Sequence, residues 1–120
     1  MEDRYQIDLQ MIVLGILHDD IEDLSSIMLH IPSWRQYWPR DFTEAEIVVA
    51  LRMLLEAGWI RALALGRSQT GHSELFEVEV AQTSEQAIRS YWFQPTKSGR
   101  DTWRRWEGHC QIKPFERRRR

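Results

Sequence analysis

From Ile7 to His18 the apolar residues Ile7, Met11, Leu14 and Leu17 recur at helical spacing, so IDLQMIVLGILH is expected to form a first helix. A second period of the same kind, Ile21, Leu24, Ile27, Met28 and Ile31, runs through DIEDLSSIMLHI, and Pro32 is placed to stop it. Between Pro32 and Pro39, Trp34, Tyr37 and Trp38 stand at i, i+3 and i+4, as a cap over the core would. The third period is the sharpest. Ile47, Leu51 and Leu54 make its buried stripe, flanked by Val48 and Leu55. Thr43 and Glu46 match a capping box, and Phe42 and Ile47 match a hydrophobic staple. Asp41 is a rival N-cap. Gly58 suits the left-handed residue after the helix, with Trp59 folding back on Leu54.

Beyond Gly58 the period changes. WIRALALG, residues 59–66, has the composition of a strand, and ELFEVEV, residues 74–80, alternates between Phe76, Val78, Val80 and Glu77, Glu79. The turn formers of GRSQTGHS lie between them, which predicts a hairpin with a long tip. A polar stretch leads to a further apolar run, IRSYWFQ, residues 88–94. Pro95 ends it, and Thr96 is placed to cap a last helix that carries Trp103 and Trp106 one turn apart.

The 120 residues suit one domain with a modest core, taken as residues 1–110, followed by a basic tail at 111–120. Hydrophobic residues make up 42% and charged residues 28%, as in an ordinary soluble domain. Six tryptophans assign much of the packing to aromatic rings. Cys110, the single cysteine, permits no internal disulfide. The acidic start MEDRYQID is unlike a secretory leader, and the longest apolar run, MIVLGIL, is too short for a bilayer. A cytoplasmic protein without a membrane role is expected. The net charge of −2 hides an asymmetry: residues 1–60 hold 11 acids and 4 bases, and residues 61–120 hold 7 and 12. Arg117, Arg118, Arg119 and Arg120 supply much of the basic excess, as a nucleic-acid tail or as a solvated terminus.

ALRMLLEAGWIRAL resembles the end of the third helix of a winged-helix domain entering the first strand of its wing. YWFQPTKSGRDTW resembles the strand, turn and Lys-x-Gly-Arg helix start that closes many bacterial winged-helix regulators. Together these phrases span roughly residues 7–107. The resemblance implies an α+β fold, with a three-helix core, a two- to three-stranded wing and a C-terminal helix. It also implies DNA binding, with the third helix in the major groove and the wing on an adjacent groove or the backbone.

The residues on that helix fit the second implication poorly. The face opposite Ile47, Leu51 and Leu54 carries Glu46, Val49, Arg52, Met53 and Glu56. Carboxylates there oppose phosphate, which supplies most nonspecific affinity. Val49 and Met53 suit a protein partner, with Glu46, Arg52 and Glu56 around them, unless another part of the chain covers them. The alternative is a DNA-binding regulator that uses Arg52, Arg61, Arg67, Gln69, His72 and Arg117 to Arg120. The helix with Trp103 and Trp106 is a candidate for homodimer contact.

No spacing points to catalysis. HDDIED, residues 18–23, lacks the glycine and alternating oxygen ligands of a calcium loop, and acidic helix caps explain it better. His109 and Cys110 are adjacent, but no zinc spacing accompanies them. His30 and His72 read as a helix-end and a loop residue. The chain lacks a phosphate-cradling glycine motif and a nucleophile elbow. The expectation is a binding module that is not an enzyme and needs no cofactor.

Overall fold

The computed structural model describes residues 2–18, 20–34, 42–79 and 84–109. Its elements run in the order α1 (Glu2–Leu17), β1 (Glu22–Asp23), α2 (Leu24–His30), α3 (Glu44–Ala57), β2 (Ile60–Arg67), β3 (Ser73–Val78), β4 (Trp92–Pro95) and α4 (Lys97–His109). Short 3-10 turns occupy Ile31–Trp34 and Ala87–Ser90. The fold is α+β, with four helices and a four-stranded antiparallel sheet in the order β1-β4-β2-β3 among the described residues. No helix among the described residues is long and apolar enough to cross a membrane.

The first helix starts earlier than its apolar period indicates, and every residue from Asp8 to Leu17 is buried. The stripe of Met11, Leu14 and Leu17 is joined in the core by Leu9, Ile12, Val13 and Ile16. A stretch buried on all sides needs apolar residues all round, and residues 9 and 11–17 supply them, with Asp8 and Gln10 as the buried polar members. It packs against α2, α3, α4 and β4, which makes it the centre of the core.

The second helix is shorter than its period suggested. Asp23 is the N-cap, its Oδ1 accepting the Ser26 N–H at 2.9 Å, so α2 can begin only at Leu24. This caps the helix as the acidic cluster led one to expect. Ile21 is therefore left outside the helix and exposed. Glu22 and Asp23 instead pair with Phe93 and Trp92 of β4. Pro32 falls inside the 3-10 turn that follows α2. Trp34 ends that turn, while Tyr37, Trp38 and the rival cap Asp41 lie outside the described residues.

The third helix has the capping box in full. The Glu46 N–H reaches Thr43 Oγ1 at 3.1 Å, and the Thr43 N–H reaches Glu46 Oε1 at 2.8 Å. Phe42 packs on the core, consistent with the staple. At the other end Gly58 has φ +77°, and the Trp59 N–H returns to the Leu54 carbonyl at 3.0 Å. Ile47, Val48, Ala50, Leu51, Leu54 and Leu55 are all buried.

In the sheet, β2 pairs on one side with β3, from Ala62 opposite Val78 to Arg67 opposite Ser73. On the other side it pairs with β4, Ile60 opposite Pro95 and Leu63 opposite Trp92. The apolar run at 88–94 is not one strand. Ile88 is fully buried, but it reaches the core from the 3-10 turn. Ser84 Oγ accepts the Ala87 N–H at 3.1 Å, and the Ser90 hydroxyl donates to the Ala87 carbonyl at 2.8 Å. These side-chain bonds hold the backbone in a turn and delay the strand to Trp92.

The last helix sits on the bend between α3 and β2. The Thr96 N–H donates to the Trp59 carbonyl at 3.0 Å, and its hydroxyl donates to the Gly58 carbonyl at 2.8 Å. The same hydroxyl oxygen accepts the Gly99 N–H at 3.1 Å, as the expected cap. A Cβ added at Gly99 would lie 1.9 Å from the Trp59 carbonyl oxygen, so only glycine allows this approach. Trp103 is buried, its ring edge-on to His18 with centroids 5.4 Å apart. Trp103 thus serves the core, and of the expected dimer pair only Trp106 is partly open.

Candidate functional site

The outward side of α3 is the face that the helical period singles out. Val49 is 39% exposed and Met53 42%, one turn apart, opposite the fully buried stripe. Among the described residues, no segment buries this pair fully. Met53 also touches the core helix, since Gln10 Nε2 donates to its Sδ at 3.5 Å. Arg52 and Glu56 lie beside the pair and bind each other at 3.6 Å across one turn. Glu46 is partly buried, and its Oε1 accepts both the Thr43 N–H and the Thr43 hydroxyl. It therefore acts first as a cap, and less as a rim to the apolar pair. Glu44, at the same end, meets Arg89 Nε at 2.7 Å.

The structure brings Val49, Arg52, Met53 and Glu56 together on one helix face, so Arg52 alone of the described candidate nucleic-acid contacts lies there, and it places Arg61, Arg67, Gln69 and His72 on the sheet and its hairpin loop. Arg61 lies on β2, where its Nε donates to Gln94 Oε1 at 2.8 Å and its Nη1 is 3.8 Å from Glu77. Arg67, Gln69 and His72 are exposed at the end of the β2–β3 hairpin. Its loop closes by Ser68 N–H to the His72 carbonyl at 2.8 Å and Gly71 N–H to the Ser68 carbonyl at 3.0 Å. Arg117 to Arg120, His109's neighbour Cys110 and Val80 lie outside the described residues. On α4 two of the bases are matched locally. Lys97 and Arg104 both meet Asp101, and the Lys97 hydrogen bond holds the Asp101 carboxyl below its ordinary pKa.

The sheet carries apolar groups that the alternating pattern did not flag as a surface. Leu65 is 66% exposed, Leu75 37% and Phe76 43%. Trp92 is also exposed. The register puts Leu65 opposite Leu75 and Leu63 opposite Trp92 on one sheet face, with Phe76 on the other. The sequence signal was present: leucines 63, 65 and 75 fall on the face that does not include Phe76 and Val78. A hairpin with apolar groups on both faces projects beyond its core.

Among the described residues no group of three or more His, Cys, Asp or Glu side chains is placed to hold a metal ion. Comparison of the chain with family models, curated proteins and solved structures finds no match.

Proposed function

We propose that this chain is a non-catalytic winged-helix binding module that docks a protein partner on the open face of α3. The reading rests on one observation, the half-exposed apolar pair Val49 and Met53 beside an Arg52–Glu56 ion pair on the side of α3 opposite its buried stripe. Apolar groups ringed by charge are what a selective protein interface offers. The order of three helices, a hairpin and a closing helix supports the winged-helix assignment. Duplex DNA is the second reading, favoured by the exposed Arg67, Gln69 and His72 at the hairpin loop. The carboxylates beside Arg52 and Arg61 weigh against it, because each neutralises a charge that phosphate would need.

Met53→Asp tests the first reading. The new carboxylate can accept from Gln10 Nε2 and otherwise meets water, so stability should change by less than about 1 kcal/mol. A protein retrieved from lysate by the parent, then purified and titrated, should bind the variant at least about tenfold more weakly, because an unpaired charge at an interface centre is costly. Unchanged affinity moves the partner site off α3, and loss of folding assigns Met53 to the core.

A further inference from the structure

The β3 edge has a chemistry of its own, independent of α3. On one side β3 is bonded to β2; among the described residues its other side has no strand against it. The opposite sheet edge, β1, is only two residues long. The loop bonds at Ser68, Gly71 and His72 set the alternation along the hairpin. Residues 74, 76 and 78 bond towards β2, and the backbone N–H and C=O groups of Ser73, Leu75 and Glu77 turn outward. Long edges of this kind are templates for another strand unless charge or shape blocks them.

The side chains select which strand. Leu75 and Phe76 are adjacent and exposed on opposite faces, with Leu65 beside Leu75 and the Phe76 ring lying against Gly66. Glu74 and Glu77 flank them, and Glu79 follows. A second copy pairing antiparallel through its own outward-turned residues would set Leu75 against Leu75 and Glu74 against Phe76 at both ends, a carboxylate on an aromatic ring with no base opposite. An incoming strand with the order basic, apolar, apolar, basic meets no such conflict. Its bases face Glu77 and Glu74, and its apolar residues face Phe76 and Leu75.

We propose that β3 binds an extended peptide of this basic–apolar–apolar–basic pattern as an added antiparallel strand. Backbone bonds at Ser73, Leu75 and Glu77 give affinity, and the flanking glutamates give specificity.

The test uses the full chain and two labelled peptides, Thr-Lys-Val-Ile-Lys-Thr and its counterpart with both lysines replaced by glutamate. Fluorescence anisotropy to millimolar protein should show the lysine peptide binding about tenfold or more tightly. Amide NMR shifts should centre on residues 73–77. In Glu74→Lys combined with Glu77→Lys, the preference should invert. Leu75→Pro should abolish binding, since it removes an outward N–H that no ladder bond uses. Should that variant misfold, the charge-reversed pair decides alone. Equal affinity for the two peptides, no binding of the lysine peptide, or shifts centred on α3 would each overturn the proposal. Failure here leaves Met53→Asp unaffected, because that variant reads a different face.

Discussion

Thr43 contributes through two short contacts with Glu46 at the start of α3. Thr43→Ala removes the acceptor for one helix-end amide and should lower stability by about 1 kcal/mol in a denaturant titration. An unchanged midpoint would assign that amide another partner. Asp23 allows a sharper test, because its cap can be titrated. The Ser26 backbone N–H, then its side chain, holds the Asp23 carboxyl below the ordinary value of 3.8. A depressed folded pKa means that the cap is fully present above the unfolded value and fades as pH falls through the folded one. The stability difference between parent and Asp23→Asn should therefore be constant from pH 7 to about pH 4 and shrink only below that. A difference that begins to fall near pH 6 would contradict the assignment. The Thr43 cap was legible in the sequence, because a cap depends on spacing within one turn, whereas the acidic cluster promised a cap without singling out Asp23. The ring contact of His18 with Trp103 was not legible, since it joins helices far apart in the chain.

At the scale of elements, local chemistry and burial part company. The capping box, the Gly58 ending and the stripe of α3 follow from sequence because each is decided within a few residues. Two-residue β1 was invisible, since only β4 makes Glu22 and Asp23 a strand. In β3 the alternation correctly gave the pleat, but not the burial: Phe76 is half exposed where the pattern implied an inner face. The glycine of TKSGR, noticed as part of a phrase, has a physical cause in the Trp59 carbonyl. Gly99→Ala must push α4 away from the α3–β2 bend and strain the Thr96 bonds, at a cost of about 3 kcal/mol or more. Thermal unfolding measures this directly, and a variant with the parental Tm would mean that α4 can tilt without loss. Ser98→Ala, one residue away and exposed, is the control and should change little.

Across the whole molecule, five of the described bases, Arg52, Arg61, Arg89, Lys97 and Arg104, already meet a carboxylate, and α3 adds further acid. Binding to random duplex near 150 mM salt should accordingly be weak, and removing residues 117–120 should remove most of it. A filter-binding series across salt concentrations checks this through the slope, which should flatten on deletion. Tight binding that ignores the deletion would favour the DNA reading over the protein one. The sequence made the charge imbalance legible, yet could not show which cations were already neutralised by neighbours. The pairing of Arg61 with Gln94 and Glu77, for example, requires strands β2, β3 and β4 side by side.

The strand order has a consequence for how the chain can be made. The sheet runs β1-β4-β2-β3, so β4 lies between strands that leave the ribosome well before it. The β2–β3 hairpin can close on its own during translation, but Glu22 and Asp23 must wait for Trp92 and Phe93. Until then the face of α1 that β4 covers stays open, and nascent chains carry an apolar surface through most of synthesis. A stalled or truncated product ending before Trp92 would be a substrate for chaperones or proteases, whereas one that includes Thr96 and Gly99 could already lock onto the bend at Gly58 and Trp59.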